Sequence, residues 1–382
     1  MYSLTLDKLP EQTTPYYLYD TALLDDTLSQ IRQAIGNTPF KVHYAVKACA
    51  NPAIMKIIAG HGFGADCVSG GEIKAALEAG FDAKSIVYAG VGKSDSEIRY
   101  ALECGIGCFN VESREELEII QEIAEAESKT ATIALRVNPD IDAHTHHYIT
   151  TGLKENKFGI DMSMLDDTIA KAVAMPNVNL VGLHFHIGSQ ITTMEPFVLL
   201  CHKINGLIEK YSSQGIVLTE INVGGGLGID YDHPDEHPFS PFKEYFDTFK
   251  DNLDFGHIKT VHFELGRSIV AQCGNLIAKV LYVKHGVGKK FVIIDAGMND
   301  LIRPALYGAH HNIENLSNPD GIQKERYDVV GPICESSDTF ATDELLPETR
   351  RGDILALRSA GAYGETMSST YNLRALTPAV LV

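Results

Sequence analysis

From Phe40 to Ala48 apolar and polar positions alternate with period two, so Phe40, Val42, Tyr44 and Val46 fall on one face of a predicted strand and His43, Ala45 and Lys47 on the other. Just before it the period changes. Leu23, Leu24, Leu28, Ile31 and Ile35 recur at helical spacing, which predicts a helix from Thr21 to Ile35 behind a short strand at Tyr16 to Asp20. Further strand-like runs follow at 63–69, 85–90, 106–111, 132–138, 180–188, 218–226 and 260–267. Most are separated by helical patterns, among them Pro52 to Ile58, Glu72 to Ala79, Ser96 to Glu103 and Ser113 to Ala126. Eight strands alternating with helices predict a parallel (β/α)8 barrel, because an open doubly wound sheet more often stops at five or six.

Beyond Arg267 the texture changes. The runs 277–286, 289–297, 328–334, 353–361 and 375–382 are strand-like with little helical spacing between them, which predicts a β-rich second domain. The early strand at Tyr16 to Asp20 has no helix-paired partner and is assigned to that domain. The expected organisation is α/β: residues 1–26 joining the β domain, a TIM-like barrel over 27–267, and a C-terminal β domain over 268–382.

Composition narrows the function classes. The 382 residues carry 50 Asp and Glu against 32 Lys and Arg, a net charge of −18, which disfavours a nucleic-acid or anionic-membrane surface and leaves room for a local basic pocket. Seven scattered cysteines without a CxxC pair suggest neither a disulfide framework nor a zinc site. No basic-then-apolar N-terminal segment and no apolar run of membrane length occur, so a cytoplasmic protein is expected. His144, His146 and His147, and the pair His310 and His311, lack helical ligand spacing, so no metal is expected.

Candidate chemistry collects where a barrel of this type places it, at the C-terminal ends of strands. Lys47 ends an apolar strand, where an unpaired ammonium is costly to bury. It is either a lysine of lowered pKa, suited to a Schiff base with a carbonyl or pyridoxal phosphate, or one whose stem packs while its head reaches water. Gly224, Gly225 and Gly226 follow the seventh strand, as a phosphate cradle or a plain turn, and Ser189 could add a hydroxyl. His186 is a core histidine satisfied locally or a ring stacked on a planar cofactor. Glu264, inside VHFEL, needs a partner: a protonated pyridine nitrogen or a structural lysine or arginine.

Together the motifs YAVKACAN, GADCVSGGE, NPDID, KFG, HFHIGSQ, NVGGGLG, ELGRS, DAGMNDLIRPALYGA, GPICESSD and GAYGETMSSTYN resemble, over nearly the whole chain, the pyridoxal-phosphate decarboxylases of basic amino acids that share the alanine-racemase fold, fold type III. The resemblance implies pyridoxal 5'-phosphate as cofactor, anchored by Lys47, with Asp66, His186, Ser189, Gly224, Gly225, Gly226, Glu264, Gly266, Arg267 and Tyr363 around it. It implies Arg267, Arg303, Tyr307, Glu335 and Tyr363 for the substrate, with Tyr371 beside them, and Cys334 as the acid that reprotonates carbon. It also implies a homodimer in which Cys334 and Glu335 complete the partner's site. The expected reaction is decarboxylation of meso-diaminopimelate to L-lysine, the last step of lysine biosynthesis. Ornithine, arginine or carboxynorspermidine decarboxylation, amino-acid racemisation and a non-catalytic cofactor carrier are the alternatives. Leu265 and Cys49 depart from the family's usual proline and asparagine.

Overall fold

The structure is a computed structural model describing residues 4–141 and 157–382. His144, His146 and His147 lie outside the described residues. In chain order the strands are β1 (Tyr16–Tyr19), β2 (Phe40–Ala45), β3 (Gly64–Cys67), β4 (Ile86–Tyr88), β5 (Cys108–Val111), β6 (Ala131–Arg136), β7 (Val178–His184), β8 (Glu220–Asn222) and β9 (Thr260–Leu265). After them come β10 (Gly274–His285), β11 (Lys290–Ile294), β12 (Ile313–Asn315), β13 (Lys324–Val330), β14 (Thr339–Pro347), β15 (Ile354–Leu357) and β16 (Ala379–Leu381).

Strands β2 to β9 pair in sequence, all parallel, and β9 returns to β2 with Tyr44 opposite Leu265, which closes the barrel expected from the sequence. Local chemistry starts its helices. Ser69 caps the helix Gly70–Ala79 through the Glu72 N–H, and the left-handed Gly80 ends it. Ser94 and Glu97 form a reciprocal capping box on Asp95–Cys104. On the outer side of β9 the ring of Phe263 meets Phe40, Tyr245, Phe246 and Phe249 at centroid distances of 4.9 to 5.7 Å, mostly edge-on. This aromatic layer seals the junction where the barrel's last strand joins its first.

Three local expectations are corrected. The strand predicted to Ala48 stops at Ala45, and Val46–Ala48 turns as a 3-10 helix, closed by a hydrogen bond from the Cys49 N–H to the Val46 carbonyl. The run at 180–188 is a strand only to His184, so His186 sits on the loop beyond it. Arg267 opens a short helix, Arg267–Val270, rather than ending β9.

The chain divides into two compact units, one of residues 28–228 and 241–266, which holds the barrel, and one of residues 1–27, 229–240 and 267–382. The segment 229–240, read from the sequence as barrel, belongs to the second unit, where the Asp235 carboxylate accepts from Arg358 at 2.6 Å and the His237 carbonyl from Gln272 at 2.5 Å. Its sheet runs β12-β15-β10-β11-β13-β14, with β1 and β16 attached through β10. Strands β12 and β14 escaped the sequence reading. Among the described residues no helix is long and apolar enough to cross a membrane.

Candidate active site

In the barrel unit the predicted residues gather at the C-terminal ends of the strands. Lys47, on its 3-10 turn, places Nζ 3.3 Å from Oδ2 of Asp66, whose side chain is fully buried on β3. Gly266 makes room for that turn, since a Cβ there would meet the Cβ atoms of Ala48 and Ala45 at 3.0 and 3.1 Å. Burial, then the charge of Glu264, push the Asp66 carboxyl up to about 8, against the opposing pull of Lys47.

Glu264, near the end of β9, is held by three donors. Asn222 and Asn110 donate to Oε1 at 2.7 and 3.0 Å, and His184 Nε2 lies 3.1 Å from Oε2. Burial acts to raise its pKa, but His184, through its hydrogen bond and proximity, and then Lys47 hold it well below the usual carboxylate range. The buried carboxylate is thus an anion fixed by two amides and an imidazole, and the lysine or arginine of the structural alternative is not its hydrogen-bond partner.

The loops after β7 and β8 are stitched together. The Ile191 N–H donates to the Gly226 carbonyl at 2.8 Å and the Gly228 N–H to the Ile191 carbonyl at 2.9 Å, which sets the Gly188–Ser189–Gln190 turn beside the three glycines. Glycine is required here. A Cβ on Gly225 would lie 2.0 Å from the Glu264 carbonyl, and one on Gly226 2.7 Å from the Gly188 carbonyl. His186 accepts the Gly225 N–H on Nδ1 at 3.2 Å, so that nitrogen carries the lone pair. Burial first, then Arg136 and Lys47, push the ring's pKa down and keep it neutral.

In the second unit Arg267 Nη1 donates to the Tyr231 hydroxyl at 2.6 Å, and its guanidinium lies over the rings of Tyr363 and Tyr231 at 5.1 and 5.9 Å. Arg303 lies over the Tyr231 ring at 5.1 Å and donates from Nη1 to His311 Nε2 at 2.7 Å. The other His311 nitrogen donates to the Arg358 carbonyl at 2.9 Å, so the ring is neutral, and burial with Arg303 beside it lowers its pKa to about 3. Both arginines are buried. Burial acts to lower Arg267, but the nearby phenols Tyr231, Tyr363 and Tyr307 raise it, whereas burial lowers Arg303. Tyr363 holds a left-handed backbone, φ 58°, a strained state for a tyrosine and one characteristic of functional positions.

Cys334 and Glu335 are exposed in the single chain. The Cys334 N–H donates to Asn372 Oδ1 at 2.9 Å, and the Tyr371 hydroxyl donates to Glu335 Oε2 at 2.8 Å. Among the described residues no cluster of three or more metal-ligating side chains occurs. Sequence reasoning missed Asn110, His184, Asn222 and Tyr231, and weighed His311 only as a metal ligand, whereas it accepts from Arg303. The signal for the first three was present: polar side chains inside apolar strands, each needing a buried partner.

A family model described as pyridoxal-dependent decarboxylase, pyridoxal binding domain, matches residues 22–271. The diaminopimelate decarboxylase of Bacteroides thetaiotaomicron is 57% identical over 372 residues, 97% of this chain and 96% of that protein. That of Haemophilus influenzae is 44% identical over 378 residues, 99% of this chain and 90% of the relative. Among solved structures, the Helicobacter pylori diaminopimelate decarboxylase complexed with L-lysine aligns with a TM-score of 0.92 at 41% identity, covering 97% of this chain and 92% of the other. A lysine/ornithine decarboxylase from Vibrio vulnificus, TM-score 0.83 at 21% identity, shares the fold alone.

Proposed function

The chain belongs to the pyridoxal-dependent decarboxylases, and within them to the diaminopimelate decarboxylases, from which we propose that it converts meso-diaminopimelate to L-lysine and carbon dioxide. The observation that carries this reading is the 57% identity to a diaminopimelate decarboxylase across nearly the full length of both proteins.

The barrel residues fit pyridoxal 5'-phosphate. Glu264 is a buried anion whose donor set keeps it ionised, as a partner for a protonated ring nitrogen must be. Gly224 and Gly225 donate their N–H groups to Asn222 Oδ1 and His186 Nδ1, which fixes the turn and leaves the Gly226 N–H and the Ser189 hydroxyl as the donors that would meet a phosphate. When bound, the pyridoxal group supplies an electron sink that lets a carboxylate leave as carbon dioxide. Lys47 supplies the anchoring amine, Glu264 holds a proton at the ring nitrogen, and neutral His186 packs on the ring without adding charge. Asp66, Ser189, Gly266 and Tyr363 complete the cofactor's surroundings.

Arg267, Arg303 and Tyr307 hold the substrate's carboxylates. Two buried guanidiniums suit a dicarboxylate better than ornithine or arginine, neither of which has a second carboxylate. The enzyme works as a homodimer in which Cys334 returns a proton to carbon and Glu335 holds the distant ammonium in the partner's site. Their exposure in the single chain, beside Leu373 at 97% exposure, supports that assignment. Free cysteines at all seven positions suit the cytoplasm.

The test is direct. Purified protein with pyridoxal phosphate is incubated in parallel with meso-diaminopimelate, ornithine and arginine, and released carbon dioxide and product are measured. Lysine from the first alone is expected; no lysine, or faster turnover of ornithine or arginine, would overturn the reading.

A further inference from the structure

Asn222 closes β8 and is 4% exposed. Its side chain makes two hydrogen bonds, and their polarity is settled by the partners. The Gly224 N–H can only donate, so the atom 2.9 Å away is Oδ1. Nδ2 therefore faces Glu264 Oε1 at 2.7 Å, and an ionised carboxylate can only accept. A third bond closes the circuit, from the Glu264 N–H to the Gly224 carbonyl at 2.7 Å. The glycine turn has little freedom within it: Gly224 sits at φ +70°, and a Cβ there would lie 2.3 Å from the Phe185 carbonyl.

We propose that Asn222 is a positioning residue whose single amide sets both the carboxylate assigned to the cofactor's ring nitrogen and the glycine turn assigned to its phosphate. This rests on the pyridoxal reading of the barrel. The other donors to Glu264 differ in reach. Asn110 binds Oε1 while its own Oδ1 has no partner, and His184 binds Oε2 while its Nδ1 has none. Neither is joined to the glycine turn by these bonds, so each steadies the carboxylate only. Asn222 couples the carboxylate to the turn, and a change there should be felt at both ends of the cofactor.

Three variants separate the two effects. Asn222→Asp keeps an oxygen for Gly224 and loses the donor to Glu264; Asn222→Ala loses both; Asn110→Ala loses a Glu264 donor only. Apoprotein of each, checked for fold by circular dichroism, is titrated with pyridoxal phosphate and with pyridoxal, following bound-cofactor absorbance. Steady-state kcat and KM are then measured with meso-diaminopimelate. Asn222→Ala is expected to weaken pyridoxal phosphate by about tenfold or more while weakening pyridoxal less, so the advantage of the phosphate shrinks. Asn222→Asp is expected to keep that advantage, shift the absorbance of the bound cofactor and lower kcat by about tenfold or more at unchanged KM. Asn110→Ala should lower kcat without touching the phosphate advantage. A full phosphate advantage in Asn222→Ala, or wild-type kcat in Asn222→Asp, would overturn the assignment. Wild-type protein that binds neither pyridoxal compound would overturn the cofactor reading itself and the assignment with it.

Discussion

Lys47 Nζ lies 3.3 Å from the carboxyl group of Asp66, which is fully buried and whose other oxygen, Oδ1, has no hydrogen-bond partner. A carboxyl so placed resists ionisation, and burial with Glu264 nearby brings its pKa to about 8. The native protein thus holds a proton that the unfolded chain releases near pH 3.8, so the stability Asp66 contributes at low pH is lost as pH rises towards 8. Asp66→Asn removes that dependence. Its advantage in apoprotein stability over wild type should grow between pH 5 and pH 9 in urea unfolding; equal pH slopes would refute the assignment of a protonated Asp66.

Glu264→Gln replaces an acceptor-only anion with a neutral amide at the hub of three donors. Some of those donors then meet an NH2 group, and a proton on the cofactor's ring nitrogen loses its counter-charge. A fall in kcat of about a hundredfold or more is expected, with a shift in bound-cofactor absorbance. Wild-type kcat in this variant would remove Glu264 from the chemistry.

Shared sites make inactive variants complementary. Lys47→Ala and Cys334→Ala should each be inactive alone. Dissociated and reassociated together, they should regain up to roughly a quarter of wild-type activity, since half the dimers are mixed and each mixed dimer has one intact site. Sedimentation gives the oligomeric state independently, and a monomer with full activity would end the proposal of a shared site.

His43 and His311 are buried and neutral, each with a pKa lowered to about 3, chiefly by burial and then by a neighbour, His262 or Arg303 respectively. Between their unfolded value of 6.5 and about 3 the unfolded chain binds more protons than the native one, so acid favours unfolding. Each histidine should steepen the loss by up to about 1.4 kcal/mol per pH unit. Denaturant unfolding at pH 6 and pH 4 should show a shallower slope in His311→Gln than in wild type.

Tyr245 is fully buried in the aromatic layer, and its hydroxyl has no hydrogen-bond partner. Tyr245→Phe keeps the edge-on contacts with Phe197, Phe249 and Phe263 and removes a desolvated polar atom. Stability should rise by about 1 kcal/mol. Destabilisation in urea unfolding would show that the hydroxyl is satisfied in solution.

The barrel was legible because each of its strands is an apolar run bounded by turn residues, and because the helices between them change the period. The second unit was less so. Strand β14, TFATDELLP, buries few of its residues and places Asp343 and Glu344 in its middle, so neither alternation nor an apolar run marks it. Strand β12 has three residues, too few for a period. Residues 229–240, IDYDHPDEHPFS, have no periodicity at all and were assigned by their neighbours in sequence. Lys47, the glycines and Glu264 could be picked out because each breaks a local pattern. Tyr231 breaks none and His311 stood out only as half of a histidine pair; they act through Arg267 and Arg303, which lie 36 and 8 residues away in the chain.

The pairing of β1 dictates an order of assembly during synthesis. Its neighbours are β10 and β16, with Tyr17 opposite both Leu276 and Ala379. Every barrel strand has left the ribosome once Leu265 has, so that unit's sheet can close while most of the other is still unmade. Strand β1 can pair with β10 once that strand is made, and gains its second neighbour only with β16. Until then β1, the apolar segment YYLY, keeps one backbone edge open, and an open apolar edge is a template for pairing with another chain.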